Sequence, residues 1–176
     1  MIGSDWKEVL MRLLPIAAAL GIAAATISSS GGTQVPDAQL NPQSVTWQKA
    51  GEAALAAGNF QAADDALETA LVLDPRNRGA FVALARVAQR QKLYGQAIRM
   101  TAKALALEPN DTVALGVQGE AMVEQGAVAR AQQNLAKIRQ LCGAKPCAPA
   151  TSLAAAIQRG PALAVKGEPP AAPKKN

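Results

Sequence analysis

The chain has 176 residues, enough for one globular domain with tails, and 49% of them are apolar although only 3% are aromatic. Its formal charge of +5 is unevenly placed: eleven basic and nine acidic side chains nearly cancel within 44–141, while five basic residues meet one acidic residue after Gly143, which fits a solubilising or weakly adhesive tail better than the basic folded surface of a nucleic-acid reader. The complete lack of histidine excludes His-based metal centres, Ser-His-Asp triads and Cys-His dyads, and no Gly-rich phosphate loop is present.

Alanine carries much of the apolar count, which favours closely packed helices, because Ala loses no side-chain entropy in a helix. No sustained alternation of Val, Ile and Thr with polar residues signals a strand. In chain order, residues 1–30 come first and contain a charge-free stretch, Leu13 to Ile27 (LLPIAAALGIAAATI), preceded by Arg12. Fifteen residues match the core of a signal peptide better than the roughly 20 needed to span a bilayer. Pro15 and the mild apolarity of alanine point the same way. Three readings stand: a cleaved export signal, an uncleaved anchor, and a buried apolar segment. Ala23-Ala24-Ala25 and Ser28-Ser29-Ser30 both offer small-residue cleavage sites, and Met11-Arg12 offers an alternative start. Residues 31–43 follow as a Ser, Gly, Pro and Gln-rich linker.

Self-similarity begins at residue 44, with a period of 34. Trp47, Phe81 and Leu115 recur at that spacing, as do Gly51, Ala85 and Gly119, then Phe60, Tyr94 and Val128, then Ala63, Ala97 and Ala131. Leu73-Asp74-Pro75 returns as Leu107-Glu108-Pro109. Each unit is expected to be a helical hairpin, turning near Gly58-Asn59, Gln91-Lys92-Leu93 and Gly126-Ala127. Small residues at unit positions 8, 20 and 27 let helices approach, large ones at 4, 17 and 24 fill the spaces, and the proline ends one helix and seeds the next.

This pattern resembles the tetratricopeptide repeat family, with a large residue at position 4, a small one at 8, alanine at 20 and 27 and proline at 32. Units 44–77 and 78–111 match it fully. Unit 112–145 departs from it at Ile138 and Gly143, where alanine and proline are expected. The resemblance implies an all-α fold, a short right-handed solenoid of three helix-turn-helix units plus a capping helix. A hairpin cannot bury its apolar face alone, and about three in a stack suffice.

A capping helix is expected within 146–160. Pro149 suits a first turn, Leu153 and Ile157 share a face, and Gly160-Pro161 is a stop. Residues 161–176 read as a disordered basic tail. Cys142 and Cys147, the only cysteines, flank the joint between third unit and cap. In an exported chain such a pair suggests a structural disulfide, with free buried thiols and redox or metal chemistry as alternatives. The spacing resembles the end of small exported bacterial tetratricopeptide proteins.

In that family the first helix of each unit lines a concave groove. By register this surface holds Gln48, Lys49, Glu52 and Leu55, then Val82, Arg86, Gln89 and Arg90, then Gly116, Val117, Glu120 and Glu124. Arg86 with Arg90, and Glu120 with Glu124, make the groove bipolar. The carboxylate clamp used by some members needs Lys and Asn at positions 5 and 9 of the first unit and Lys and Arg at 2 and 6 of the third. This chain has Gln48, Glu52, Val113 and Val117 there, so that mode is not expected. The resemblance implies a non-enzymatic scaffold, without cofactor, metal or nucleic acid, that binds another protein in the periplasm-facing bacterial envelope. A membrane-anchored accessory subunit keeping residues 13–27 is the alternative, and a thiol-disulfide role for Cys142 and Cys147 is a third.

Overall fold

Helices start in this chain mainly where a short polar side chain can accept the free N–H groups of a first turn. The computed structural model describes residues 39–162. Asn41 opens α1 (Pro42–Ala56), Asn59 opens α2 (Phe60–Leu73), Asn77 opens α3 (Arg78–Arg90) and Asp111 opens α5 (Thr112–Glu124), each side chain accepting one or two backbone N–H groups. Helices α4 (Tyr94–Leu107) and α6 (Val128–Cys142) lack a side-chain cap. They follow tight turns whose backbone groups bond to the preceding helix, Leu93 N–H to Ala88 O at 2.8 Å and Ala127 N–H to Met122 O at 2.8 Å. Helix α7 (Ala148–Arg159) begins with proline in its first turn. Among the described residues there are these seven helices and no strand. The Leu13–Ile27 stretch and the tail beyond Ala162 lie outside the described residues.

The helices pair as three hairpins, α1–α2, α3–α4 and α5–α6, with α7 laid on the last. This is a helical solenoid. The hairpin turns share one backbone device. Gly58, Lys92 and Gly126, each 34 residues apart, take positive φ values of 77°, 62° and 79°. Lys92 holds there a conformation that costs an L-residue with a side chain about 1 kcal/mol or more.

Apolar side chains gather between hairpins rather than in one central core. One cluster joins Leu67 and Ala70 of α2 to Ala80, Leu84 and Val87 of α3. A second joins Val82 and Ala85 to Ala114, Val117 and Ala121. A third joins Leu115, Met122, Leu135 and Ile138 to Leu153 of α7. Close approach depends on missing side chains. A Cβ on Gly51 would meet Leu67 Cγ at 2.5 Å, and one on Gly119 would meet Leu153 Cδ2 at 2.6 Å. The same two unit positions in the middle hairpin hold Ala85 and Thr101, a larger residue exchanged for a smaller one, and both are fully buried.

Two details differ from the repeat pattern. Position 4 is buried at Leu115 and partly buried at Phe81, yet Trp47 remains 45% exposed. Among the described residues α1 packs only on α2 and α3, so no described element covers its outer side. The repeat prolines Pro75 and Pro109 also seed no helix, unlike Pro42 and Pro149, which stand in the first turns of α1 and α7. Helices α2 and α4 end at Leu73 and Leu107, and the next ones begin at Arg78 and Thr112 on the side chains of Asn77 and Asp111. Pro75 and Pro109 therefore terminate helices and stiffen the connection, while capping does the starting.

Buried polar groups lock those connections. Ser44 Oγ donates to Ala70 O at 2.7 Å and accepts from Asn77 Nδ2 at 2.9 Å, and both side chains are fully buried. Beside them the Asp74 carboxylate accepts the Asn41 and Arg76 backbone N–H groups and two guanidinium N–H groups of Arg76, all at 3.0 Å. One connection later, Arg78 pairs with Asp111. Among the described residues no buried side-chain nitrogen or oxygen lacks a partner.

The hydrogen bonds from Arg76, and then those from the Asn41 and Arg76 backbones, hold the Asp74 carboxyl at about 2, below its ordinary 3.8. A depressed carboxyl stabilises the fold above its unfolded value and loses that contribution as pH falls. Asp74→Asn is therefore expected to cost about 2 kcal/mol at pH 7. The gap to the wild type should close between pH 3.8 and about 2, as read by urea unfolding across that range. Leu153→Ala, which empties the fully buried seat of α7, is expected to cost about 2–5 kcal/mol. A change below 1 kcal/mol in thermal unfolding would show that α7 is not seated as described.

Candidate functional site

The first helices of the hairpins, α1, α3 and α5, carry the predicted groove residues, and α7 extends the row. Helices α3 and α5 face each other across Gln89, whose Nε2 donates to Val117 O at 3.0 Å. Gly116 and Gly119 leave α5 bare on the side toward α7. Pro149 Cβ lies 3.3 Å from where a Cβ of Gly116 would be. The result is a cleft of about 280 Å³ between α3, α5 and α7. Arg86, Gln89 and Glu120 bring charge and hydrogen-bonding groups to it, and Val113, Val117 and Pro149 give it apolar walls.

Glu120 is the half-buried acid of the cleft. Burial pushes its carboxyl up from 4.5, opposed by the Gln89 amide and by the positive charges of Arg86 and Arg159. An acid in that setting gains from a further cationic or hydrogen-donating neighbour, because much of its hydration is already lost.

The remaining predicted residues are distributed differently. Gln48 and Glu52 are tied to each other, Gln48 Nε2 donating to Glu52 Oε1 at 2.9 Å, and the Gln48 amide lies where a Cβ on Gly79 would be. Lys49 and Arg90 are exposed at the surfaces of α1 and α3. Val82 is 6% exposed and sits in the core between the second and third hairpins, so it packs rather than presents a surface. Glu124 lies one turn beyond Glu120 and accepts the backbone N–H of Ala162 at 3.0 Å. The structure thus brings Arg86, Gln89 and Glu120 together in one cleft, and places Gln48, Lys49, Glu52, Arg90 and Glu124 around it or away from it.

Sequence reasoning treated α7 only as a cap and missed its part in the cleft. A signal was present. Pro149 and Leu153 fall 34 residues after Leu115 and Gly119, on positions 4 and 8 of a fourth unit. Helix α7 thus stands where a fourth first-helix would, and its Pro149 and Ser152 form a wall. A larger depression of about 390 Å³ behind α7, lined by Arg139, Thr151 and Gln158 among small residues, offers a single ionisable group.

Cys142 and Cys147 lie at disulfide-bonding distance, their Cα atoms 6.1 Å apart, within the range that a disulfide spans. They close the loop from α6 to α7. Among the described residues no group of three or more Cys, Asp or Glu side chains is placed to hold a metal ion, and no helix is long and apolar enough to cross a membrane.

No protein-family model and no curated protein matches the chain. Solved structures do. The tetratricopeptide domain of Sgt2 from Aspergillus fumigatus superposes with a TM-score of 0.63 at 21% identity, over 78% of this chain and 91% of that one. The type III secretion translocator chaperone SycD of Yersinia enterocolitica gives 0.62 at 16% identity, over 68% and 92%. The first tetratricopeptide domain of Spaghetti (RPAP3), solved with an HSP90 peptide SRMEEVD, gives 0.60 at 19%, over 66% and 94%. The chain has the tetratricopeptide repeat fold. Its first helices lie side by side, α1 against α3 and α3 against α5.

Because the Glu120 carboxyl is raised, its ionisation opposes folding. The native state loses stability as pH rises from 4.5 through the folded-state value. Glu120→Gln is expected to stabilise the fold at pH 7 and to lose that advantage below pH 4.5, as read by chemical denaturation at both pH values. A variant less stable at pH 7 would show that Arg86 and Arg159 outweigh burial.

Proposed function

We propose that this protein is a non-enzymatic scaffold that holds an extended segment of a partner protein in the groove of its solenoid. The observation that carries the reading is the convergence of Arg86, Gln89 and Glu120 with apolar walls in the cleft between α3, α5 and α7. An extended segment is supported because a cleft of about 280 Å³ accepts one or two side chains at a time and cannot seat a whole helix, which is about 10 Å across. The RPAP3 domain holds an acidic peptide in the same fold. The basic clamp positions are filled here by Gln48, Glu52, Val113 and Val117, so a different ligand chemistry is proposed, one that pairs a basic group with Glu120 and an acidic group with Arg86.

The cell envelope, facing the periplasm, is the proposed location. It is supported by the charge-free Leu13–Ile27 stretch and by two cysteines spaced for a disulfide, which persists in oxidising compartments. The pair would then hold α7, and with it one wall of the cleft, against α6.

Cross-linked capture from envelope fractions tests the reading. Arg86→Glu with Arg90→Glu reverses the basic edge without touching the core. Specifically enriched partners are expected to fall by about tenfold or more, the size of effect that loss of a central charged contact produces. An unchanged set of partners at unchanged thermal stability would remove the groove from the function.

A further inference from the structure

Within each hairpin the second helix runs back along the first, so α2, α4 and α6 finish on the side where α1, α3 and α5 start. Exposed apolar side chains gather on this connection side. Among the described residues it holds four of the six large ones: Val72, Leu107 and Leu141 in the last turns of α2, α4 and α6, and Val113 in the first turn of α5. Two of them repeat with a basic partner. Lys103 and Leu107 are four residues apart on α4, and Lys137 and Leu141, each 34 residues later, are four apart on α6. Residues four apart share a helix face. Both helices therefore present leucine near the tip and lysine about 6 Å further back along the axis, and all four residues are exposed. Lys137 Nζ donates to Pro109 O at 2.7 Å, two residues beyond Leu107, which brings the second stripe to the tip of the first.

The charge of this side is one-signed. Helices α4 and α6 contain no acidic residue. Lys145, in the exposed loop after α6, adds a further cation. The acids nearby are engaged: Asp74 with Arg76, Asp111 with Arg78, and Glu108 with the Asn110 N–H at 2.9 Å. Among the described residues Lys103, Lys137 and Lys145 have no ion-pair partner. On the opposite side, where the hairpins turn, Lys92 and Arg130 stand among Asp64, Asp65 and Glu124.

An anionic bilayer offers negative charge at the level of its headgroups and an apolar layer beneath, and a surface-bound helix face enters that boundary by about 5–10 Å. Leucine tips with lysines about 6 Å behind them match this order, and a lysine keeps its stem in the apolar layer while its ammonium stays at the phosphates. Nucleic acid supplies phosphates without an apolar layer for the leucines. A row of helix tips also provides no groove to hold a peptide strand. We propose that the connection side docks on an anionic phospholipid surface, with Leu107 and Leu141 entering the headgroup boundary and Lys103, Lys137 and Lys145 meeting the phosphates. The surface does not use Arg86, Gln89 or Glu120, so the inference goes beyond the groove function and stands or falls without it.

The full chain, mixed with phosphatidylcholine vesicles that contain or lack phosphatidylglycerol, tests the docking. Co-sedimentation gives the binding, and acetylation followed by mass spectrometry gives the accessibility of each lysine. Binding is expected to strengthen with phosphatidylglycerol and weaken with salt. Lys103, Lys137 and Lys145 are expected to become protected while Lys92 stays reactive. Lys103→Gln with Lys137→Gln should weaken binding about 25-fold, or about fivefold for each lysine at an anionic surface. Leu107→Ala with Leu141→Ala should weaken it about fivefold. Lys92→Gln with Arg130→Gln removes the same charge from the turn side and should change it by less than about twofold. If the leucine variants lose helicity by circular dichroism, the lysine variants and the protection pattern decide. Equal losses from both pairs of charge variants would overturn the proposal, as would protection spread evenly over all lysines. Binding that ignores phosphatidylglycerol would assign it to the charge-free Leu13–Ile27 stretch and remove the docking surface. Protection of the three lysines by poly-glutamate but not by vesicles would assign this side to an acidic protein instead. Partner capture dependent on Arg86 and Arg90 is measured apart from vesicle binding, so either function can fail alone.

Discussion

Helix α7 lies against α5 where two glycines leave part of its surface bare, and the cleft depends on that contact. Gly116 and Gly119 sit one turn apart on α5, where Cβ atoms would meet Pro149 at 3.3 Å and Leu153 at 2.6 Å. The cost is conformational, since glycine inside a helix is about 1 kcal/mol less favourable than alanine. The return is the burial of Leu153 among Leu115, Met122, Leu135 and Ile138, worth roughly 1.5–3 kcal/mol for one large aliphatic side chain. With α7 in that place, Pro149 and Ser152 become a wall, Arg159 comes within electrostatic range of Glu120, and Glu120 loses enough water for its carboxyl to rise. Were α7 displaced, the third hairpin would end in an exposed apolar face and Glu120 would be an ordinary surface acid.

The same economy of volume runs through the other hairpins, with different residues. Gly51 makes room for Leu67, while the middle unit pairs Ala85 with Thr101 at the same positions. Packing at interior density requires that facing volumes sum to what the space holds. A larger residue at position 8 is thus accompanied by a smaller one at 24. The polar locks vary in the same manner. Ser44 with Asn77 is a neutral buried pair, whereas Arg78 with Asp111 is an ion pair partly open to water. Both tie the start of one first-helix to the cap of the next, and so set how successive hairpins follow one another.

Much of this fold was legible. The 34-residue spacing of Trp47, Phe81 and Leu115, with small residues at fixed offsets, marked six helices and their turns, because one supersecondary unit copied in tandem copies its spacing too. The turn at Lys92 was readable only from its neighbours in register, Gly58 and Gly126, since lysine carries no turn signal of its own. Trp47 was read as a filler and is exposed, because what it covers depends on whether another helix lies outside α1. Val82 falls on the groove register and is buried, because Ala114, Val117 and Ala121 of α5 pack around it.

By itself the sequence determined the helices, their order, the period that stacks them and the helix faces carrying charge, because these depend on residues near one another along the chain. The site was decided by tertiary structure. The convergence of Arg86, Gln89 and Glu120 with Pro149 and Ser152 joins residues from three helices, and no local signal encodes which of several charges on a helix face another element will cover. Arg86 and Arg90 look alike in sequence, as do Glu120 and Glu124. Only packing distinguishes them: Arg86 and Glu120 line the cleft, whereas Arg90 lies outside its lining and Glu124 accepts the Ala162 N–H, because the loss of water that changes an acid's chemistry is a property of what packs over it and not of its place in the chain.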